Sequence, residues 1–402
     1  MKNLWVLLIV VLIACNGNKP INRIVPENWS EISKNAMGTS VNMMMWQGDP
    51  LINKYMTEWV VPEVKKRFNI DLKILPGQGN EIVKMLMTGI EQETKSGNVD
   101  ICWINGETFY QLQQIDALYG PFVNILPNSK LIDFENPFIK YDFQQETKGF
   151  ECPWGNVQEC IIYDSIRTPH PPSNLIQLSE YVKSHPGRFT IPAEFAGMTL
   201  LKSWMVELAG KGPEYFDGQF DSLKYQQVSI KLWDFINSNK QYFWRRGETF
   251  PEKLSAMHQM FANNELDFTF SNNDAEVDNK IFQGVFPNTA KAYVPEVGSI
   301  QNSHYLGIPK NAGNKNAALM VINFLISPEA QYQKLQPKVW GDGTILDENK
   351  LDDFWKQKFV TSSGRINAPE RRLINQKAIK EPAPEYMIRL YADFRNEVIN
   401  QK

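Results

Sequence analysis

The sequence holds no block of lysine or arginine. Its 402 residues carry 42 basic against 45 acidic side chains, a net charge of -3, which withholds the electrostatic footprint that a polynucleotide needs. Nucleic acid is therefore not expected as a partner. Histidine is scarce, its four copies being spread as His170, His185, His258 and His304, and neither H-E-x-x-H nor C-x-x-C occurs. No metal site and no cofactor is expected. Past the first residues no segment is apolar for long enough to cross a bilayer, whose hydrocarbon core of about 30 Å takes roughly 20 apolar residues. Of the four cysteines, Cys15 directly follows the N-terminal apolar run and three remain beyond it, Cys102, Cys152 and Cys160. Export permits a disulfide, the odd count leaves at least one thiol unpaired, and the sequence does not choose the pair. Repeats and low-complexity tracts are missing too.

What is present is apolar bulk arranged with two periods. At 43% hydrophobic and 12% aromatic composition over this length, the chain exceeds what one core usually serves, so two lobes are expected. The run Leu4 to Ala14 is too short to span a membrane and fits the apolar region of a signal peptide. From residue 41 the periodicity reads strand (41–46), helix (55–68, apart from its proline), strand (71–76), helix (80–94) and strand (100–105). That alternation predicts a parallel sheet faced by helices. A second set follows a proline- and aromatic-rich stretch. Strands are expected at 159–164, 188–192 and 267–272, with helices near 174–184, 198–209, 222–238 and 251–263. In the last third a strand ends at Ile308-Pro309 and a helix runs from Lys315 to Ile326. Ser327-Pro328-Glu329 stops it and caps another.

That passage, "HYLGIPKNAGNKNAALMVINFLISPEAQ" (304–331), resembles the signature of bacterial ABC-transporter solute-binding proteins of the extracellular family 1 type. Leu12-Ile13-Ala14-Cys15 resembles a lipobox, implying lipidation of Cys15. "WINGE", "PWG", "HPGRFTIP" and "VWGDGTILD" resemble a poorly characterised subgroup provisionally called thiamine-binding. The resemblance implies an α/β, two-lobed periplasmic-binding-protein-like fold (type II) with the ligand cleft between the lobes. It divides the chain into a signal peptide (1–14), a lipidated tether (15–35), one lobe from 36–145 and 275–325, and another from 146–274 and 326–402. It further implies a monomer anchored to the cell envelope by its N-terminal lipid, with an ABC permease and ATPase subunits as partners and a small polar or cationic solute as cargo. A sugar or polyamine ligand is the alternative.

Open parallel sheets bind ligands at the carboxyl ends of their strands. Trp46, Trp103 and Trp154 stand at such ends or beside turns, where ligand platform competes with core packing. Asn105 and Glu107 follow Trp103, and Asn273 and Asp274 follow the strand at 267–272. The two carboxylates either cap helices or face a cationic or polyhydroxylated ligand. Gln78, Gly79 and Asn80 form a turn before a helix whose amides suit a hydroxyl or anion. Asn302, His304 and the arginine pair Arg245 and Arg246 are further contact candidates. An enzyme rival resembles thiaminases and takes Cys102 as nucleophile. Adjacent strand residues point to opposite faces, so Cys102 and Trp103 do not share a cleft. A surface lipoprotein that binds a macromolecule is the third class considered, and it would show large exposed patches.

Overall fold

The computed structural model describes residues 28–361 and 365–400. The expected signal peptide and the lipidation site Cys15 lie outside the described residues. From Trp29 the expected tether is a helix, Trp29–Ala36, capped by the Asn28 side chain, with Ile32 and Ala36 in the core. Its four-residue spacing puts both apolar side chains on one face, which packs on the helix Lys315–Leu325.

Strands β1 (Ser40–Met45), β2 (Asp71–Pro76) and β3 (Ile101–Ile104) pair in parallel, with Met43 opposite Ile74 and Met44 opposite Cys102. Their alternation sorts two layers of core. Val41, Met43, Met45 and Ile101 face one cluster, and Cys102 and Ile104 face another under the helices Asn80–Glu91 and Gly106–Gln114. The helical run from Pro50 to Phe68 passes its proline because a widened turn, Tyr55–Val60, precedes Pro62 in the first turn of the next segment. The missing N–H is tolerated there.

A short hairpin, β4 (Tyr141–Asp142) and β5 (Gln145–Glu146), leads into β6 (Glu151–Gln158) and β7 (Cys160–Asp164). In the second lobe β7 pairs antiparallel with β8 (Phe268–Ser271) and β9 (Ala290–Tyr293). β10 (Ser299–Gly307) runs antiparallel to β6 and to β3, and its start pairs in parallel with β11 (Ala378–Lys380). The long β6–β10 pair is the connection between lobes. Ile300 lies in the second core with Ile379, whereas Leu306, Cys152 and Trp154 lie in the first. The periodicity did not mark β6 as a strand. It is buried along most of its length and contains Pro153, so it neither alternates nor reads as a central strand. The ladder accommodates the proline with a bulge: Tyr305 faces Pro153, His304 faces Gly155, and Trp154 is the extra residue.

Packing moves the expected lobe boundaries. Ala330, Trp340, Ile345, Leu346, Leu351 and Phe359 join the first core, although 326–361 was expected in the second lobe. Val277, Phe286, Ala290 and Ala292 pack with Ile162 in the second, although the segment from 275 was expected in the first. The expected strand 188–192 is not formed. Phe189, Thr190 and Ile191 are buried, but the backbone meets isolated partners, among them Trp244 N donating to Phe189 O at 2.8 Å, instead of a ladder. Cys102, Cys152 and Cys160 are all buried free thiols. No described helix is long and apolar enough to cross a membrane.

Candidate functional site

The carboxyl ends of β1, β2 and β3 bring three predicted loops to one edge of the first lobe. Trp46 is 40% exposed, its ring lying over Gly48, where a Cβ would sit 2.3 Å from the ring. Gln78 and Asn80 are exposed, and Gly79 starts the helix Asn80–Glu91 with φ 47°, a conformation that favours glycine. Asn105 holds the N-cap position without a side-chain bond to a helix N–H, its Oδ1 accepting from Thr108 Oγ1 at 3.1 Å. Glu107 opens the helix Gly106–Gln114, is half-buried, and has no side-chain hydrogen bond among the described residues. Burial raises its carboxyl above the usual range while the Lys202 charge pulls it down.

Trp103 and Trp154 meet edge to face at 5.1 Å, joined by His304 at 4.9 Å and Trp340 at 5.7 Å from Trp103. Trp154 is fully buried and Trp103 half-buried, so this cluster is packed on itself. His304 Nε2 lies 3.1 Å from Asp342 Oδ2, which also takes Lys334 Nζ at 2.5 Å. Gly155 makes room for that pair, since a Cβ there would stand 2.0 Å from Asp342 Oδ2 and 2.1 Å from His304 Nε2. The structure does not bring Trp46 into the cluster.

Asp274 is 1% exposed and meets Arg365 at 2.5 Å and Arg371 at 3.1 Å. Burial opposes its charge, but the two guanidiniums hold the carboxyl below its ordinary value. Its charge is taken up inside the protein. Asn273 donates to the Trp340 carbonyl at 3.3 Å and Asn279 to the same oxygen at 2.5 Å. Together with Lys280 Nζ, 3.0 Å from Asp49 Oδ2, these bonds tie the second lobe to the first. Arg245 lies over the Trp244 ring at 4.3 Å.

The lobes also meet at the tip of the β4–β5 hairpin, where Phe143 and Gln144 both have positive φ, 45° and 61°. Two side chains in that backbone region are strained unless held. Phe143 is held by burial against Gly106, where a Cβ would clash at 2.0 Å, and Gln144 by bonds to Glu381 O at 2.7 Å and Gly218 N at 3.0 Å. Beneath Phe143 lies Lys202, 1% exposed, its ammonium 4.7 Å from the Phe143 ring and 5.6 Å from the Phe195 ring. It is bonded to Glu381, whose other oxygen takes Asn302 Nδ2 at 3.1 Å. Asp142 and Glu159 also feel the Lys202 charge, yet burial raises both well above the usual carboxylate range. Four acids therefore share one lysine. On the helix Pro384–Phe394, Tyr391 is raised first by burial and then by Glu107 of one lobe and Glu194 of the other. The charges of those two carboxylates, one from each lobe, thus act on one phenol. A cavity of about 10 Å³ beside Asp142, Phe143, Asn302 and Glu381 remains at this junction. Neither it nor a larger cavity in the second lobe is lined by Trp46, Trp103 or Trp154.

No family model matches the chain. Protein YnjB of Escherichia coli (strain K12) is 34% identical over 330 residues, 81% of this chain and 84% of that protein. The chain belongs to the YnjB family. Among solved structures, the TpPotD lipoprotein of Treponema pallidum superposes with a TM-score of 0.65 at 13% identity, covering 89% of this chain and 99% of that one. An ABC transporter substrate-binding protein from Bradyrhizobium japonicum gives 0.63 at 14% identity over 89% and 99%. A putative spermidine/putrescine ABC transporter from Listeria monocytogenes gives 0.59 at 17% over 90% and 99%. The fold is thus the two-lobed periplasmic-binding-protein fold.

In this YnjB-family chain, several junction residues escaped sequence reasoning: Phe143, Glu194, Lys202, Glu381 and Tyr391. One signal was available. The helix Phe195–Ala209 is buried from Ala196 through Val206, and a lysine inside so apolar a run must find a partner. Its partner, 179 residues away, was not legible. Cys102 is fully buried opposite Trp103, in the cluster with Ile104 and Phe109. Burial pushes its thiol up to about 12, so it offers no thiolate for a thiaminase-like attack. Among the described residues no group of three or more His, Cys, Asp or Glu is arranged to hold a metal.

Proposed function

We propose that this protein is the solute-binding component of an ABC importer, held at the cell envelope by lipid on Cys15, which takes a small organic cation between its lobes and presents it to a permease driven by ATPase subunits. It acts as a monomer without a covalent step. The observation that carries the reading is Glu107, a half-buried carboxylate at the carboxyl end of β3 with no side-chain hydrogen bond among the described residues, on a helix packed against the helix Pro384–Phe394 of the other lobe; Glu194 is the second acid, its charge acting with that of Glu107 on Tyr391. A guest with positive charge and an apolar body satisfies both acids when the lobes close, and hinge closure over ligand is the motion this fold allows. Thiamine is the first candidate, on the resemblance of "WINGE" and its companion motifs, and spermidine and a neutral disaccharide are the competitors.

Native mass spectrometry of protein purified without refolding identifies a copurified guest directly. Titration with thiamine, spermidine and maltose, read by calorimetry and by small-angle scattering, is expected to give one bound cation and compaction. Glu107→Gln is expected to weaken that binding about tenfold, the equivalent of roughly 1.4 kcal/mol for one partly buried charge pair. Binding of the disaccharide alone, or of a cation with unchanged affinity in both Glu107→Gln and Glu194→Gln, would refute the cation reading.

A further inference from the structure

We propose that the second lobe carries a separate binding site for a short primary ammonium, seated on Glu159. The site is a cavity of about 30 Å³ between the helices Leu175–Ser184 and Phe195–Ala209 and the strands β7, β8 and β9. A single water needs about 10 to 15 Å³ on this measure, so the space suits about two or three heavy atoms.

Glu159 lines it, 2% exposed, and neither of its carboxyl oxygens has a hydrogen-bond partner. Burial raises the Glu159 carboxyl well above the usual range, with Lys202 first and the Ser203 hydroxyl after it acting in the other direction; the Ser203 hydroxyl itself donates to the Thr199 carbonyl at 3.4 Å. Lys202 makes its ion pair with Glu381 and acts on Glu159 through its charge without bonding it. A buried, unpaired carboxyl is costly in an apolar wall unless a proton or a positive ligand joins it.

The walls favour the positive ligand. Phe189, Trp204, Phe268 and Phe270 line the cavity, with ring centroids 6.3, 6.3 and 6.0 Å from that of Phe189. Aromatic faces around an acid attract an ammonium and repel an anion. The lining contains a second acid, Glu207, and no Lys, Arg or His. Ser173 and Asn174, half-exposed lining residues, are hydrogen-bonded to Glu296 at 2.8 and 3.3 Å, which adds a further negative charge beside them. An ammonium supplies three donors and one charge to two unpartnered oxygens. Water supplies hydrogen bonds without the charge.

The probe is ethylammonium chloride, titrated into the intact protein by calorimetry and thermal shift, with sodium chloride at equal ionic strength and tetramethylammonium chloride as controls. Ethylammonium alone is expected to bind saturably. Glu159→Gln is expected to weaken it at least tenfold, and Phe189→Leu about three- to tenfold through the lost ring face. Glu107→Gln and Glu194→Gln, which alter the interlobe site, are expected to leave it unchanged. If Glu159→Gln does not fold, Phe189→Leu decides. The proposal is overturned if ethylammonium has no effect beyond that of sodium, if Glu159→Gln binds like the parent, or if Glu107→Gln abolishes binding. That last result would assign the amine to the interlobe site and leave the reading of that site standing.

Discussion

Lys202→Met isolates the contribution of one buried charge to the junction between lobes. Methionine keeps most of the stem and its contacts with Phe143 and Phe195, so the chief loss is the ammonium. Lys202 and Glu381 are 1% and 5% exposed at the side chain, a depth at which removing one partner of an ion pair costs about 3 to 5 kcal/mol because the other charge is stranded. The penalty is expected to depend on pH. Asp142 and Glu159 have raised pKa values in the folded state, so the folded chain holds more protons than the unfolded chain above the ordinary carboxylate range. Their contribution favours folding at low pH and fades as pH rises. Without Lys202 both are pushed further up, and protonation at low pH relieves the excess negative charge. Urea unfolding at pH 8 and pH 5 should therefore show a large deficit in the variant at pH 8 and a smaller one at pH 5. Asp274 and Asp342, whose values are lowered by other cations, change stability in the opposite direction but cancel between parent and variant. An equal deficit at both pH values would refute the charge argument and make Lys202 a packing residue.

Gly106→Ala places a Cβ 2.0 Å from Phe143 and is expected to cost about 1 to 3 kcal/mol by overpacking; adding Phe143→Ala should recover part of that loss in a double-mutant cycle of urea unfolding. Trp103→Ala removes a ring packed against Trp154, His304 and Trp340, and about 3 kcal/mol of stability should go with it; thermal unfolding without ligand checks this, and an unchanged midpoint would return Trp103 to the role of ligand platform. Lys280→Ala breaks a largely buried pair with Asp49 that links the lobes and a second one with Glu276, with an expected cost of about 2 to 4 kcal/mol and an increase in the radius of gyration measured by scattering. Cys102, Cys152 and Cys160, buried and with raised thiol pKa values, should resist a thiol reagent in the native protein and react after unfolding, as counted by mass spectrometry.

Much of the first lobe was legible because its strands and helices are local patterns. β1, β2, β3 and the helix Asn80–Glu91 follow alternation and helical spacing that depend on nearby residues alone. Ser327 capping at the Ala330 amide is likewise a short-range event. β6 was hidden because its strand character comes from β10, roughly 150 residues later, and because a bulge removes the objection to Pro153. Trp103 and Trp154 do come together, but in a packed cluster whose other members, His304 and Trp340, carried no spacing that tied them to it. Asp274 resembles a ligand acid at a strand end, but Arg365 and Arg371, about 90 residues later in the chain, take up its charge.

The sequence by itself determined the alternation of strands and helices, the parallel pairing of β1, β2 and β3 and the helix starts, because backbone geometry and side-chain period act over a few residues. Only the tertiary structure decided which charges are paired. The charges of Glu107 and Glu194 act on Tyr391 from different lobes, and Glu159 carries two carboxyl oxygens without a hydrogen bond while Lys202 is bonded to Glu381. Electrostatic pairing depends on distance through space and on burial, neither of which is written in neighbouring letters of the chain.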